Sequence, residues 1–401
     1  MIVASFGSRV NVGVLAVALA WPIATFAAGW NAAALFEVFP ASLFVTLLGV
    51  TLLFGVAQSN GTMAALTQRA LQLVGSRAAL MPLMFFVLAC AISTLGPGAI
   101  ATIALLAPLA MVASVRSGVP VFLTALMIGN GANAGNLSPF SAVGVIVADG
   151  MVKAGVPGHA WSVWSANFVA HAVAALAAWA LFGGPQLRQK DAVISVDGAA
   201  AFSRAHRLTL AVGLAWVVAV VVFKAPLGFT AFGAAALLVL LRAGDDAAML
   251  AQVPWSVLVM VTGVSVLVGV LEGTGGMDLF SSALARVATP DTVNGSIAFI
   301  TGAISTYSST SGVVYPAFLP AIPGLIEKLG GGDALQIALS INVGAALVDV
   351  SPISTLGALC VAALPQGEDP QRLFRQLLIW GLSMTVVGAL FCQLFIQYFA
   401  F

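Results

Sequence analysis

The amino-acid sequence predicts an all-α polytopic membrane protein. It reads as two inverted-topology repeats, each with a re-entrant helical hairpin and a broken transmembrane helix, giving about nine spanning helices plus two hairpins. Three observations predict this fold. Hydrophobic residues make up 61% of the 401 residues and charged ones only 7%, against about a quarter charged in a soluble domain. The chain aligns on itself at a nearly constant offset. Polar, glycine-rich stretches interrupt apolar runs otherwise long enough to cross a bilayer, where an unsatisfied backbone is costly unless it lines a cavity.

The composition also excludes. A net charge of +1 gives no electrostatic footprint for nucleic acid. Cys90, Cys360 and Cys392 lie in apolar segments without metal-ligand spacing and read as small core residues. The start, "MIVASFGSRVNVG", has no small-residue cleavage site. Gly-x-Ser-Gly and His-Glu-x-x-His motifs and a P-loop are absent, and no histidine has a nucleophile beside it in sequence. "GNGANAG" has dinucleotide-like glycine spacing but sits in a membrane span, without the strand such a site needs. The reading is therefore not an enzyme.

The repeat is carried by three blocks. Residues 39–63, "FPASLFVTLLGVTLLFGVAQSNGTM", meet 253–277, "VPWSVLVMVTGVSVLVGVLEGTGGM", at offset 214. "AISTLGPGAIATIALLAPL" (91–109) meets "AISTYSSTSGVVYPAFLPA" (303–321) at 212, and "GNLSPFSAVG" (135–144) meets "VDVSPISTLG" (348–357) at 213. The first repeat is expected over 1–183 and the second over 206–401, joined by a cytoplasmic linker at 184–205.

Taken in order, spans are expected near 10–28, 41–58, 119–150, 161–182, 206–223, 227–243, 254–271, 334–363 and 373–400. Two segments do not fit a simple crossing: 79–113, broken at "STLGPG", and 293–325, broken at "STYSSTSG". Each arm has about 15 residues, or about 23 Å of helix against a core about 30 Å thick, which reads as half of a hairpin. The spans 119–150 and 334–363 read as the broken helices. "TMAALTQRALQLVG" (62–75) and "GMDLFSSALARVA" (276–288) follow glycine-containing breaks and read as amphipathic arm helices, or as extensions of the helices before them. Helix 206–223 has no counterpart in the first repeat, so either that helix was lost or the start is internal to a longer protein.

Charge sets the orientation. With the linker cytoplasmic, Arg9, Arg69, Arg77, Arg116, Arg188, Lys190, Arg204, Arg207, Arg242, Arg372 and Arg375 fall inside, and Lys153, Lys224, Arg286 and Lys328 outside. The N-terminus is then cytoplasmic, the C-terminus lies across the membrane, and the two hairpins enter from opposite faces.

The breaks supply the candidate chemistry. Ser138-Pro139 and Ser351-Pro352 read as an N-cap followed by proline at the first helical position, each starting a half-helix inside the membrane. The hairpin tips, Pro97 with Gly98 and the Ser/Thr run before Gly312, read as starting two more. Four N-termini at one midplane region make an anion site that needs no lysine or arginine. "GNGANAGN" and "NVGAALVD" read as unwound segments whose carbonyls coordinate a hard cation. The expected substrate set is Ser93, Thr94, Gly98, Asn136, Ser138, Pro139, Ser305, Thr306, Ser311, Gly312, Ser351 and Pro352. The expected cation set is Ser93, Asn130, Asn133, Asn136, Ser308, Thr310, Asn342 and Asp349, with Ser309 nearby. Any one of these polar residues also reads as interhelical glue. Asp349, a carboxylate deep in the membrane and the counterpart of Asn136, is the sharpest candidate; its other reading is a helix cap. His171 reads as a core histidine, Glu272 as facing an interface, and Tyr307 and Tyr315 as packing residues, against protein first and against substrate as the alternative.

On "FPASLFVTLLGVTLLFGVAQSNGT", "STLGPGAIATIALLAPLA" and "NAGNLSPFSAVG", the chain resembles the bacterial dicarboxylate (malonate) carrier family of the ion transporter superfamily. The resemblance runs from the start of the chain to the beginning of the 161–182 span and is echoed in the second repeat. It implies a homodimer in the bacterial inner membrane, with a rigid scaffold and transport domains that move as elevators. The superfamily's sodium-coupled divalent-anion branch has Ser-Asn-Thr at its hairpin tips; here the tips read "STLGPG" and "STYSSTSG". The expected function is secondary transport of a small organic anion, a C3–C4 dicarboxylate, coupled to Na+ or H+. An ion channel or ion/proton exchanger is the alternative on the same architecture, and a saturable, gradient-dependent flux separates the two.

Overall fold

The computed structural model describes residues 10–72, 80–96, 98–183 and 201–401. Arg9, Arg77, Pro97, Arg188, Lys190 and most of the expected linker lie outside the described residues. Regular structure within the described residues is helical, without a strand. Helices at Ala41–Ser59, Gly98–Arg116, Ala160–Leu181, Arg204–Val221, Trp255–Gly273 and Pro370–Phe399 are long and apolar enough to cross a membrane, with shorter apolar helices between them. This is a multi-pass membrane protein.

The elements recur in step. In the first half they are α1 (Val12–Pro22, continued as a π-turn to Ala27), α2 (Ala32–Glu37), α3 (Ala41–Ser59), α4 (Thr62–Gln72), α5 (Leu80–Thr94), α6 (Gly98–Arg116), α7 (Val121–Asn136), α8 (Ala142–Lys153) and α9 (Ala160–Leu181). Next come α10 (Arg204–Val221), which has no counterpart among the described residues, and α11 (Leu227–Leu240). Then follow α12 (Asp246–Ala251), α13 (Trp255–Gly273), α14 (Gly276–Ala285), α15 (Val293–Ser305), α16 (Tyr315–Phe318), α17 (Ile322–Leu329), α18 (Ala334–Leu347), α19 (Thr355–Ala362) and α20 (Pro370–Phe395). The ends of α2 meet those of α12, and the ends of α3 those of α13, at the same offset of 214 that aligns their sequences. Their caps match. Asn31 and Asp245 each accept a bond from the amide three residues on, at 3.0 and 2.9 Å. Pro40 and Pro254 share φ −78° and ψ 67°. The arm helices α4 and α14 are separate elements, cut from the preceding helix by Gly61 (φ +81°) and Gly275 (φ +76°), a backbone state open to glycine.

α1 and its counterpart α11 each pack on the long helix of the other half. α1 presents Val12, Ala16, Ala20 and Ala24 at helical spacing, all buried against Val264 and its neighbours on α13. The approach is close enough that a Cβ on Gly13 would lie 2.5 Å from the Met260 Cα, and one on Gly263 would lie 2.3 Å from the Gly13 carbonyl. α11 repeats this on α3, where a Cβ on Gly49 would sit 2.3 Å from the Gly228 carbonyl. Small residues substitute here for the hydrophobic drive that lipid does not supply.

Two expectations need correction. "GNGANAGN" and "NVGAALVD" are not unwound. Residues 129–136 stay helical in α7 and residues 342–347 in α18, and the helices break only afterwards, at 137–141 and 348–354. The glycines serve packing instead: Cβ atoms on Gly131 and Gly135 would each lie 2.3 Å from carbonyl oxygens of α5, those of Phe86 and Cys90. Gly344 meets Ala298 of α15 in the same way. The hairpin arms are also unequal. α6 has 19 residues, longer than expected. Its counterpart is a π-turn (Thr310–Val314), α16, a 3-10 turn (Leu319–Ala321) and α17 in series, re-set by Pro316, Pro320 and Pro323.

Candidate functional site

Both half-helices after the breaks start three residues later than expected. Ser138 and Ser351 do not cap them. The caps are Ser141 of "SPFS" and Ser354 of "SPIS". Ser141 Oγ accepts from the Gly144 amide at 2.9 Å. Ser354 has cap geometry, but its hydroxyl donates back to the carbonyls of Ser351 (2.8 Å) and Asp349. The earlier serines shape the turn: Ser138 Oγ donates to the Thr94 carbonyl at the first hairpin tip at 2.6 Å, and Ser351 Oγ accepts weakly from Ile353. Each Ser-Pro-x-Ser forms a turn, closed by the Ser141 amide on the Ser138 carbonyl (3.1 Å) and the Ser354 amide on the Ser351 carbonyl (3.0 Å), with proline at its second position.

One cavity of about 460 Å³ collects the first turns of four helices. Gly98 to Ala101 open α6, Ala142 and Val143 open α8, Thr310 and Ser311 open the second hairpin's returning arm, and Thr355 and Leu356 open α19. At the second tip Ser309 caps the π-turn, accepting from Gly312 at 3.0 Å. Asn136 and Asp349, counterparts at offset 213, both line the cavity and both reach across to a hairpin. Asn136 Oδ1 accepts from the Ala99 amide at 2.9 Å. Asp349 Oδ1 accepts from Thr310 Oγ1; Ser305 Oγ, 3.3 Å from Asp349 Oδ1 and in contact with Thr310 Oγ1, has one hydrogen to give to either. Asp349 is the one charged side chain among the described residues of the lining; no lysine, arginine or histidine joins it. The four first turns bring partial positive charge instead, about half a unit at a full helix start.

The expected residues thus divide. Gly98, Asn136, Ser308, Ser309, Thr310, Ser311, Asp349 and Tyr307 line the cavity, and Ser305 touches it through Asp349. Ser93, Thr306, Ser138 and Ser351 are buried behind it, with Thr306 Oγ1 on its own helix at the Gly302 carbonyl. Thr94 holds the turn through its carbonyl, and Gly312 packs on Met260. Pro139 lines a separate, apolar cavity of about 320 Å³, and Pro352 is buried. Asn130, Asn133 and Asn342 are fully buried away from the cavity rather than facing the tips. Tyr315 is a packing residue, its hydroxyl donating to the Asn342 carbonyl at 3.1 Å. Sequence reasoning missed Thr51, Phe54 and Gln58 of α3, and Gln252, which form the opposite wall. Thr51 and Gln58, polar residues inside an apolar span, were the available signal. Phe54 sits so close to the first tip that a Cβ on Gly96 would overlap its ring.

With a cavity walled by two hairpins and two helix breaks, comparison with known proteins becomes informative. Residues 1–136 match the family described as "Dicarboxylate carrier protein MatC N-terminus". The resemblance read from the sequence holds over that stretch. No curated protein matches the chain. Among solved structures, the YdaH transporter of Alcanivorax borkumensis superposes with a TM-score of 0.66 at 15% identity, covering 96% of this chain and 98% of the other. MtrF of Neisseria gonorrhoeae, described as one of a class of antimetabolite efflux pumps, superposes at 0.61 with 13% identity, covering 100% and 96%. The fold is the fold of these transporters, and with the carrier match it marks a membrane transporter, not an enzyme.

Proposed function

We propose that the protein is a cation-coupled secondary transporter of a small organic anion of the dicarboxylate class. In this reading residues 1–183 and 206–401 are repeats of opposite orientation, and the hairpins with their broken helices move against α1, α3, α11 and α13 in an elevator cycle. A homodimer in the bacterial inner membrane, with its N-terminus cytoplasmic, completes the reading. The observation that carries it is the convergence of four helix starts on one cavity whose single charge is Asp349. Oriented N–H groups solvate a carboxylate, while Asp349 with Ser305 and Thr310 takes the coupling Na+ or H+ and removes the repulsion between the two negative groups. The carrier-family match over 1–136 supports the dicarboxylate class.

Reconstituted into proteoliposomes, the wild type should show saturable dicarboxylate uptake driven by an inward sodium or proton gradient. Asp349→Asn removes a charged partner of two hydroxyls, an interaction of about 1.5–3 kcal/mol, and should cut coupled uptake roughly 10- to 100-fold. Uptake by that variant with unchanged ion dependence excludes Asp349 as the coupling group. Cysteines introduced at Gly118 and Leu329 should label from opposite membrane faces; labelling from one face refutes the inverted arrangement.

A further inference from the structure

The cavity is open on one half of the molecule and shut on the other. Its wall opposite the hairpins is one face of α3, where Thr51, Gly55 and Gln58 recur at helical spacing, backed by Gln252. At offset 214 the first three meet Ser265, Gly269 and Glu272 of α13, and Gln252 meets Val38. The backing is repeated in space. A Cβ on Gly55 would lie 3.4 Å from the Gln252 Cβ, and one on Gly269 would lie 2.9 Å from the Val38 Cβ. The face of α13 is therefore a second copy of the wall.

That copy is covered in this structure. Ser265 and Val268 are each 4% exposed, and Val268 shares an apolar cluster with Val313 of the second hairpin's returning arm. Gly312 sits so near Met260 of α13 that an added Cβ would lie 2.2 Å from the Met260 Cε. The counterparts of Gly312 and Val313 in the first hairpin are Ile100 and Ala101, and both line the open cavity. One hairpin thus lies on its wall while the other stands off. Two arrangements of one duplicated unit coexist in a single molecule, and exchanging them would open the site on α13 and shut it on α3.

The two walls differ in chemistry. The Gln58 amide can donate to a carboxylate oxygen; an ionised Glu272 only accepts and repels one. Glu272 stands at the end of α13, where the charges of Lys153 and Asp149 on α8 act on it. Lys153 is already paired with Asp149 at 3.2 Å, so the three together are net negative.

We infer that Glu272 takes the place of Gln58 beside the anion when the α13 wall opens, and makes that face of the protein the weaker one for a dicarboxylate. The inference rests on the transport reading above and adds to it a residue that sets the affinity of each face separately.

The experiment fixes each arrangement with a disulfide and measures succinate and malonate binding by calorimetry in sodium at neutral pH. Met260→Cys with Gly312→Cys holds the α13 wall shut. Its counterpart, Thr46→Cys with Ile100→Cys, joins residues that line different cavities here and should form only after the exchange. The native cysteines are buried, so wild type serves as the oxidation control. Glu272→Gln should tighten binding roughly tenfold in the second lock and leave the first unchanged; Gln58→Glu should weaken the first roughly tenfold and spare the second. Ser265→Cys alone checks the opening: it should react slowly with a water-soluble maleimide in unlocked protein and not in the first lock. Equal effects of Glu272→Gln in both locks overturn the proposal, as does a Ser265→Cys that never reacts. Binding of neither anion in either lock, with Ser265→Cys reacting as expected, removes the dicarboxylate reading itself and this role of Glu272 with it.

Discussion

The two hairpin-and-break units are built on one plan and differ where they meet the cavity. In the first, Asn136 ties the start of α6 at Ala99 to the break, and Gly96 of the tip is tight against Phe54. In the second, Asp349 stands at the equivalent position among Ser305, Thr310 and a hydroxyl-rich tip, and the returning arm opens with a π-turn in place of a regular helix. The backbone devices have been kept in both halves while the charge has been confined to one. A wholly symmetric cavity would hold two carboxylates or none. The observed one places negative charge on one side and leaves helix starts facing it on the other, which suits an anion bound together with a cation.

The largest effect should come from abolishing this difference. Asn136→Asp keeps the acceptor for the Ala99 amide, so the fold should survive, but it puts a second carboxylate into the cavity. Like charges about 8 Å apart at an effective dielectric of about 20 repel by about 2 kcal/mol. Dicarboxylate affinity, measured by calorimetry, should fall roughly 30-fold and recover as the pH is lowered and the new carboxyl protonates. An unchanged affinity at neutral pH would mean that the two positions are electrostatically equivalent.

A second contrast concerns glycines that touch helices and glycines that do not. Gly131→Ala forces a methyl to 2.3 Å from the Phe86 carbonyl and should destabilise the protein by about 1–3 kcal/mol in a thermal unfolding assay. Gly213 of α10 and Gly233 of α11 have nothing within 4 Å of an added Cβ, and alanine there should be neutral or slightly stabilising. If all three behave alike, close packing of α5 on α7 is not what the glycines are for.

The smallest effect separates the two hinges. Asn60, before Gly61, donates to Thr209 Oγ1 and to the Ala243 carbonyl, both at 2.8 Å, and its carbonyl meets His206 Nε2 at 3.1 Å. Thr274, before Gly275, bonds only within its own helix, to Val270 and Leu271. The second arm is held further on instead, by Ser281 Oγ on the Ala321 carbonyl (3.1 Å) and by Lys328 with Asp278 (3.9 Å). Asn60→Ala should lower stability by about 1 kcal/mol and speed hydrogen exchange in α4, whereas Thr274→Ala should leave α14 unchanged.

Much of this was legible in the sequence, for identifiable reasons. Ser-Pro, the Ser/Thr tips and the glycines recur in step, so duplication, hairpins and breaks could be read from the offsets. Asp349 stood out because a carboxylate in an apolar span is rare. The misreadings concerned what glycine and asparagine do. "GNGANAGN" looks like a segment that cannot stay helical, yet Gly131 and Gly135 lie one helical turn apart and flatten one helix face for α5. Asn130 and Asn133 on the other faces reach His171 and Ala346, contacts that no local pattern announces. The wall of Thr51, Phe54 and Gln58 escaped for the same reason, since it belongs to one half of the chain and the second tip it shares the cavity with belongs to the other.

The most direct test of the shared cavity is the affinity of a dicarboxylate for the purified protein, by calorimetry, with and without sodium or acid, in wild type and in Asp349→Asn. Wild type should bind the anion tightly only when one of the two cations is supplied, and Asp349→Asn should bind it with an affinity indifferent to either. Anion binding by wild type that is equally strong in choline at alkaline pH would contradict the account.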